Sequence, residues 1–323
     1  MKKSTFIKLL FTLPALAAAG AAYAQTDTYP SKPIQVIFPY PPGSPLDAIG
    51  RVVIERAGKI LGQPMIFDNK AGANGIVGQG IAARAAPDGY SILLSSTSAF
   101  LLNSFVRKDL PYDPIRSFVP ITPVADIPVA LIVSSRVPVK TTREFIQHLK
   151  ANPTKVAYGS VGNGSFNHLL MEQFKSAAGV EMLHVPFQGA GPVANELIAG
   201  RIEASVLAPR GPWTAGQVNL LAMISSKRSP ALPNVPAITE DLPAFQPFGN
   251  WMGFFAPAGT PDAVVRKLSE AFNATLQQPD VRQKIEEQQW TVMGGSPDQF
   301  GKSIAADLKI IAGAVKSADI KPE

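Results

Sequence analysis

The chain has 323 residues, a formal net charge of +6 and no cysteine. Without cysteine there are no disulfides, thiolate metal sites or lipidated-cysteine anchors. The charge excess is mild and contains no Lys/Arg run, which argues against a nucleic-acid partner.

Reading from the N-terminus, "MKKSTFIKLLFTLPALAAAGAAYAQ" has the form of a secretory signal peptide. Lys2, Lys3 and Lys8 form a basic leader, an apolar run follows, and Ala22-Tyr23-Ala24 gives a small-x-small cleavage site, placing the cut after Ala24. The apolar run is interrupted by Pro14 and is too short to span a bilayer, and no other segment approaches that length, so no membrane anchor is expected. The remainder, about 300 residues, is enough for two domains with their own apolar cores.

The N-terminal half alternates strand and helix signals. "IQVIFP" (34–39) reads as a short apolar strand, and 47–61 as a helix with Ile49, Val52, Val53 and Ile60 on one face and Gly62 as its stop. Strands at 64–69 and 90–96 flank a Gly-rich helix at 72–85. Residues 121–135 form one long extended stretch, suited to a crossover between lobes. A second series follows: a helix begun at Thr141 or Thr142, a strand at 155–160, a helix from 165 closed by Gly179, a strand at 181–187, a helix at 192–200, and strands at 202–208 and 219–225. A return strand at 251–260 precedes helices near 262–277, 280–288 and 297–316. This alternation predicts two α/β lobes, each a mainly parallel sheet flanked by helices. The first lobe comprises 25–124 and 236–323, the second 125–235.

Ligands of open α/β sheets bind beyond the carboxyl ends of the strands, where the following helices present unpaired N–H groups. Four Gly- and hydroxyl-rich junctions occupy such places: Gly43-Ser44-Pro45, Ser95 to Ser98, "GSVGNGS" (159–165) and "QGAGP" (188–192). Any one of them could be a plain tight turn. Their recurrence in both halves favours a site for an anion held by helix N-termini. Ser44-Pro45-Leu46-Asp47 has the form of a capping box, so Asp47 reads first as a cap and second as a partner for a ligand ammonium group. Arg210 is either an anion contact at the cleft or an ordinary surface charge. His148, His168 and His184 form no metal-ligand or nucleophile motif, and neither a phosphate loop nor a dinucleotide fingerprint is present. No catalytic residues, metal or cofactor are therefore assigned.

Several ordered blocks carry a resemblance. "PYPPGSPLDAIGR", "DNKAGANGIVG", "APDGYSILLSS", "LPYDPIRSFVPIT", "KANPTKVAYGSVGNGS", "HVPFQGAGPVANELIAGRIE", "KRSPALPNVPAI" and "FFAPAGTP" closely resemble the solute receptors of tripartite tricarboxylate transporters, the Bug family, over essentially the whole mature chain. The resemblance implies a type II periplasmic-binding-protein fold and a monomer in the periplasm. It would close two lobes on a small carboxylated solute for a transporter's membrane subunits. A ligand-sensing adaptor for a membrane sensor kinase and, less favoured, a periplasmic enzyme are the alternatives. Candidate ligand contacts are Tyr40, Gly43, Ser44, Pro45 and Asp47 on the first loop, and Ser96 and Thr97 on the second. Ser160, Gly162, Asn163 and Ser165 follow on the third loop, then Gly189 and Ala190 on the fourth, and Arg210. Ser44 stands where the family has a second Gly, Phe187-Gln188 where it has Tyr-Lys, and Glu196-Leu197 where it has Asp-Leu. Arg210 and Trp213 occupy a stretch the family keeps apolar, so a different charged or aromatic acid is a candidate ligand.

Overall fold

The computed structural model describes residues 29–153, 155–210, 213, 215–318 and 320–322; the leader and its cleavage site lie outside them. The chain opens with β1 (Ile34–Phe38), α1 (Pro45–Leu61), β2 (Met65–Asn69), α2 (Ile76–Ala83) and β3 (Ser91–Ser96). A π-helical turn, Ser98–Leu102, then runs into α3 (Asn103–Val106), a feature without a periodic signature in the sequence. Next come β4 (Phe118–Asp126), β5 (Ala130–Ser134), α4 (Thr142–Ala151), β6 (Ala157–Ser160), α5 (Phe166–Ala178), β7 (Leu183–Pro186) and α6 (Ala190–Ala199). The chain continues through β8 (Ala204–Leu207), β9 (Val218–Met223), α7 (Ile238–Asp241), β10 (Trp251–Pro257), α8 (Asp262–Leu276), α9 (Pro279–Glu286), β11 (Thr291–Val292) and α10 (Pro297–Ser317).

These strands make two sheets, ordered β11-β4-β10-β3-β1-β2 and β7-β6-β8-β5-β9, and each sheet is the centre of one lobe. β1 pairs in parallel with β2 and β3, and β6 with β7 and β8, as βα units require. In each sheet most strands run one way, as expected, and the exceptions make it mixed. β10 lies antiparallel between β3 and β4, and β5 lies antiparallel between β8 and β9. β10 returns from lobe 2 after the βα units of its sheet, and β5 enters from lobe 1 ahead of those of its own; each runs against them.

The expected single stretch at 121–135 is two strands in different sheets, broken at 127–129. Pro128 has no N–H to give a ladder, which suits it to the break. Beside it, Ile127 N–H donates to Asn250 O and Asn250 Nδ2 donates to Ile127 O, both at 2.7 Å, tying the two crossing segments together. Two acids border this hinge. Burial, with Asp307 adding to it, pushes Asp126 up to about 6. Burial also raises Asp307, although it accepts Gly249 N–H and Trp251 Nε1–H, each at 2.9 Å.

The apolar residues fall into three clusters. One fills the α1/α8 side of the first sheet, including Val53, Phe254 and Phe272. Another lies under α6 in the second lobe, including Ile132, Val193 and Leu197. The largest is continuous through both lobes, from Leu93, Phe100 and Phe255 to Leu131, Leu170 and Phe174. α10 contributes Ile304 and Ile311 to it and packs on both β4 and α5.

Candidate functional site

The loop after β1 is shaped by local chemistry. Ser44 caps α1 in extended geometry, its Oγ accepting Asp47 N–H at 3.2 Å, and Pro45 takes the first helical position, where its missing N–H costs no helical bond. Gly43 has φ +93°, which side-chain-bearing residues rarely adopt, so the turn into the helix needs glycine there. Gly50 then allows α1 to lie close on the sheet, since a Cβ would come within 2.7 Å of Leu94.

Asp47 is buried and its carboxylate is fully engaged within lobe 1. Oδ2 accepts Gly43 N–H at 3.2 Å and Arg51 Nε–H at 3.0 Å, while Oδ1 accepts Arg51 at 3.1 Å and Asn69 Nδ2 at 3.0 Å. Burial pushes this carboxyl up, but the bonds from Arg51, Asn69 and Gly43 outweigh that and hold it below its ordinary range. The arrangement departs from a reciprocal capping box, because Asp47 reaches back to Gly43 rather than Ser44. It also directs the Gly43 amide inward, while Ser44 N–H and Leu46 N–H make no hydrogen bond among the described residues. The same Asn69 donates to Tyr40 O at 3.1 Å, and the Tyr40 hydroxyl lies 2.6 Å from Ser96 Oγ. Burial pushes that phenol up to about 12, against the pull of Ser96. Tyr40, Gly43, Asp47 and Ser96 are thus brought into one network. Thr97 is fully buried and its Oγ1 accepts Trp251 N–H at 2.9 Å.

In lobe 2 the loop after β6 is built similarly. Ser165 caps α5, accepting His168 N–H at 3.3 Å, and Gly164 N–H donates to His168 Nδ1 at 3.0 Å. Ser160 is fully buried; its hydroxyl bonds Gly162 O at 3.0 Å and lies 2.7 Å from His184 Nε2. Gly162 takes φ +130° and Asn163 is exposed at the tip. Beneath the loop, His168 and His184 stack with centroids 3.9 Å apart, and Tyr158 stacks on His184 at 5.0 Å. Tyr158 donates to Glu172, which pairs with Lys175 at 2.9 Å. Gly189 is the N-cap of α6 and offers no side-chain cap; the helix begins at Ala190, two residues before the expected start.

Two contacts bridge the lobes at this end. Gly164 abuts Val106 of α3, where a Cβ would come within 2.7 Å of Val106 Cγ1. Arg210 donates to Gln288 O at 2.7 Å and to Gln288 Oε1 at 3.3 Å. Arg210 is therefore half-buried between lobes, and the surface-charge reading is set aside. Gln288 itself carried no sequence signal, because it sits in a charged helix end whose partner lies in another lobe.

Burial and the neighbouring His168 hold His184 down to about 4, so it is neutral at pH 7. A histidine with a lowered value in the fold stabilises it above its ordinary value, 6.5, and loses that contribution as pH falls towards 4. We expect the melting temperature to fall over that window, and His184→Gln to flatten the slope. Parallel slopes for the two proteins would refute the assignment.

No group of three or more His, Cys, Asp or Glu side chains suited to a metal occurs among the described residues. Nor is any described helix long and apolar enough to cross a membrane. Two α/β lobes joined by a paired-segment hinge, with capped strand–helix loops on both, define a binding protein of the periplasmic type. Residues 49–318 match the tripartite tricarboxylate transporter family receptor, and the chain belongs to that family of periplasmic solute receptors. It is 34% identical over 312 residues to protein BugT of Bordetella pertussis, covering 95% of each chain. Rpa4515 of R. palustris, solved with adipate, superposes with a TM-score of 0.76 at 28% identity, over 91% of this chain and 100% of that one. MatC of Rhodopseudomonas palustris, solved with bound malate, gives 0.70 at 27% identity, over 89% and 100%. The family is one of receptors and not of enzymes.

Proposed function

We propose that this receptor captures a small carboxylated organic solute between its lobes and delivers it to the membrane subunits of a tripartite tricarboxylate-type transporter. The observation that carries the reading is the pair of stiffened loops after β1 and β6. Each is closed by a serine N-cap on the helix that follows it, and each lies at the carboxyl end of a parallel strand. Helix N-termini so placed bind a carboxylate through amides and dipole without a lysine. Adipate and malate in two relatives are both small carboxylates.

In this reading Ser44, Pro45, Gly162, Asn163, Ser165, Gly189 and Ala190 face the solute, and Ser160, fully buried, shapes the second loop. Tyr40, Gly43, Asp47 and Ser96 hold the first loop in shape. The lobes comprise 25–124 with 236–323, and 125–235; the mature protein begins after Ala24 and acts as a periplasmic monomer. Ligand at a hundredfold excess over its Kd adds about 2.7 kcal/mol to the folded state. That corresponds to a rise of several degrees in melting temperature, about 2–4 °C per kcal/mol in proteins approaching this size. Melting scans with adipate, malate, citrate and aspartate check this, followed by calorimetry on any that shift. If no carboxylate raises the melting temperature, the reading fails.

A further inference from the structure

Lobe 2 holds a cavity of about 330 Å³ that the two loops do not use. Its floor is Ile132 and Val218 of the sheet, with Leu207 at the end of β8, and its side is Ala194 and Leu197 of α6. Trp213 lines it, and among its lining residues Arg210 alone carries a charge. Ala190 and Gly191, the first residues of α6, complete the rim.

We propose that this cavity receives the apolar body of the solute, with the solute's carboxylate on Arg210, so that the ligand is an organic acid carrying a ring-sized apolar group. The proposal rests on the reading of the protein as a carboxylate receptor, narrows the class, and moves the carboxylate of such an acid from the loop amides to Arg210. The volume lies at the lower end of the range for small-molecule pockets, about 300–1,000 Å³, and suits one ring rather than a long acyl chain. Apolar walls reward each buried methylene with about a fourfold gain in affinity. A short hydroxy-acid would leave those walls unfilled, or place its hydroxyl and second carboxylate against them without partners. Trp213, as a lining residue, can add an aromatic contact.

Arg210 supplies the matching charge. Its guanidinium can hold a carboxylate through two parallel bonds. The bond to Gln288 Oε1, at 3.3 Å, is the one a carboxylate replaces, while the 2.7 Å bond to Gln288 O remains. A solute in this position is then attached to both lobes through one side chain. The positive end of α6 lies on the same rim and adds to the attraction.

The test is calorimetric titration of benzoate, adipate and malate into the wild-type protein, Ala194→Phe and Arg210→Gln. Benzoate should bind the wild type at least tenfold more tightly than malate. Ala194→Phe, which fills the cavity from α6, should weaken benzoate at least tenfold and malate less than twofold. Arg210→Gln should weaken benzoate by a similar factor. Malate or adipate binding without benzoate would overturn the cavity assignment and leave the receptor reading standing. Failure of all three acids, and of a wider carboxylate screen, would remove both. Unchanged benzoate affinity in Ala194→Phe would also overturn the assignment. Should Ala194→Phe misfold, tryptophan emission decides: benzoate should alter it in the wild type and not in Trp213→Phe, and an equal change in both refutes contact with the cavity.

Discussion

Replacing Asp47 with alanine is expected to lower the stability of the protein by about 2–4 kcal/mol, since it removes a buried carboxylate that three partners share. Arg51 is 47% exposed in its side chain and can turn to water, so the main loss falls on Asn69 and the Gly43 amide. Asn69 also holds Tyr40 O, so the change spreads from α1 through β2 to the end of β1. Without this anchor the prolines stiffen a loop that is no longer placed, and the cost of ordering it moves into the binding step. Solute affinity should therefore fall by about tenfold or more, in addition to the stability loss.

The pH dependence gives the sign. A carboxyl held below its ordinary range stabilises the fold above that range, and the contribution disappears as pH falls through the lowered value. The gap between wild type and Asp47→Ala should accordingly be full at pH 7 and shrink towards strongly acid pH. Paired melting curves across that range, with a binding isotherm at pH 7, measure both effects. An Asp47→Ala protein that melts with the wild type at pH 7 would show the network to be dispensable.

The second large effect is expected at Trp251. Its ring is 1% exposed and packs edge-on against Phe300 at 5.0 Å and beside Phe255 at 5.8 Å. Truncation of such a side chain to alanine costs about 3–5 kcal/mol through lost burial and the cavity left behind. The indole N–H also satisfies Asp307, and a buried acceptor without its donor adds about 1–3 kcal/mol. The sum is comparable to the whole stability of many proteins, about 5–15 kcal/mol. Trp251→Ala should therefore melt well over ten degrees lower, using about 2–4 °C per kcal/mol. Trp251→Phe, which keeps a ring but no donor, should fall between the two. Chemical denaturation of the three proteins orders them; a Trp251→Ala midpoint equal to that of the wild type would contradict the packing described.

What the sequence disclosed divides along a physical line. Caps and stops act within four residues, so Ser44-Pro45, Gly62, Ser165 and Gly179 could be read directly, and each lies where expected. Strand direction and neighbour are decided by distant chain, and there the reading was weaker. Nothing in "WMGFFAP" states that it inserts antiparallel between β3 and β4. Likewise the apolar run at 121–135 reads as one strand by hydrophobicity; Pro128 hints at the break, and the pairing of Ile127 with Asn250 fixes it. Among site residues, the loops were legible because their glycines and hydroxyls cluster in sequence. The grip of Arg51 and Asn69 on Asp47, the stack of His168 on His184, and the bridge from Arg210 to Gln288 were not, since each joins side chains that only the fold brings together.

The inner core that runs through both lobes has a bearing on how the protein is made. Its last contributor in chain order is α10, whose Ile304 and Ile311 cover apolar surface belonging to strands and helices synthesised long before. β10, which completes the first sheet, also comes after the whole of lobe 2. Neither lobe has all its walls until β10 and α10 are present. The lobes therefore complete their folding together, once both late elements have been placed.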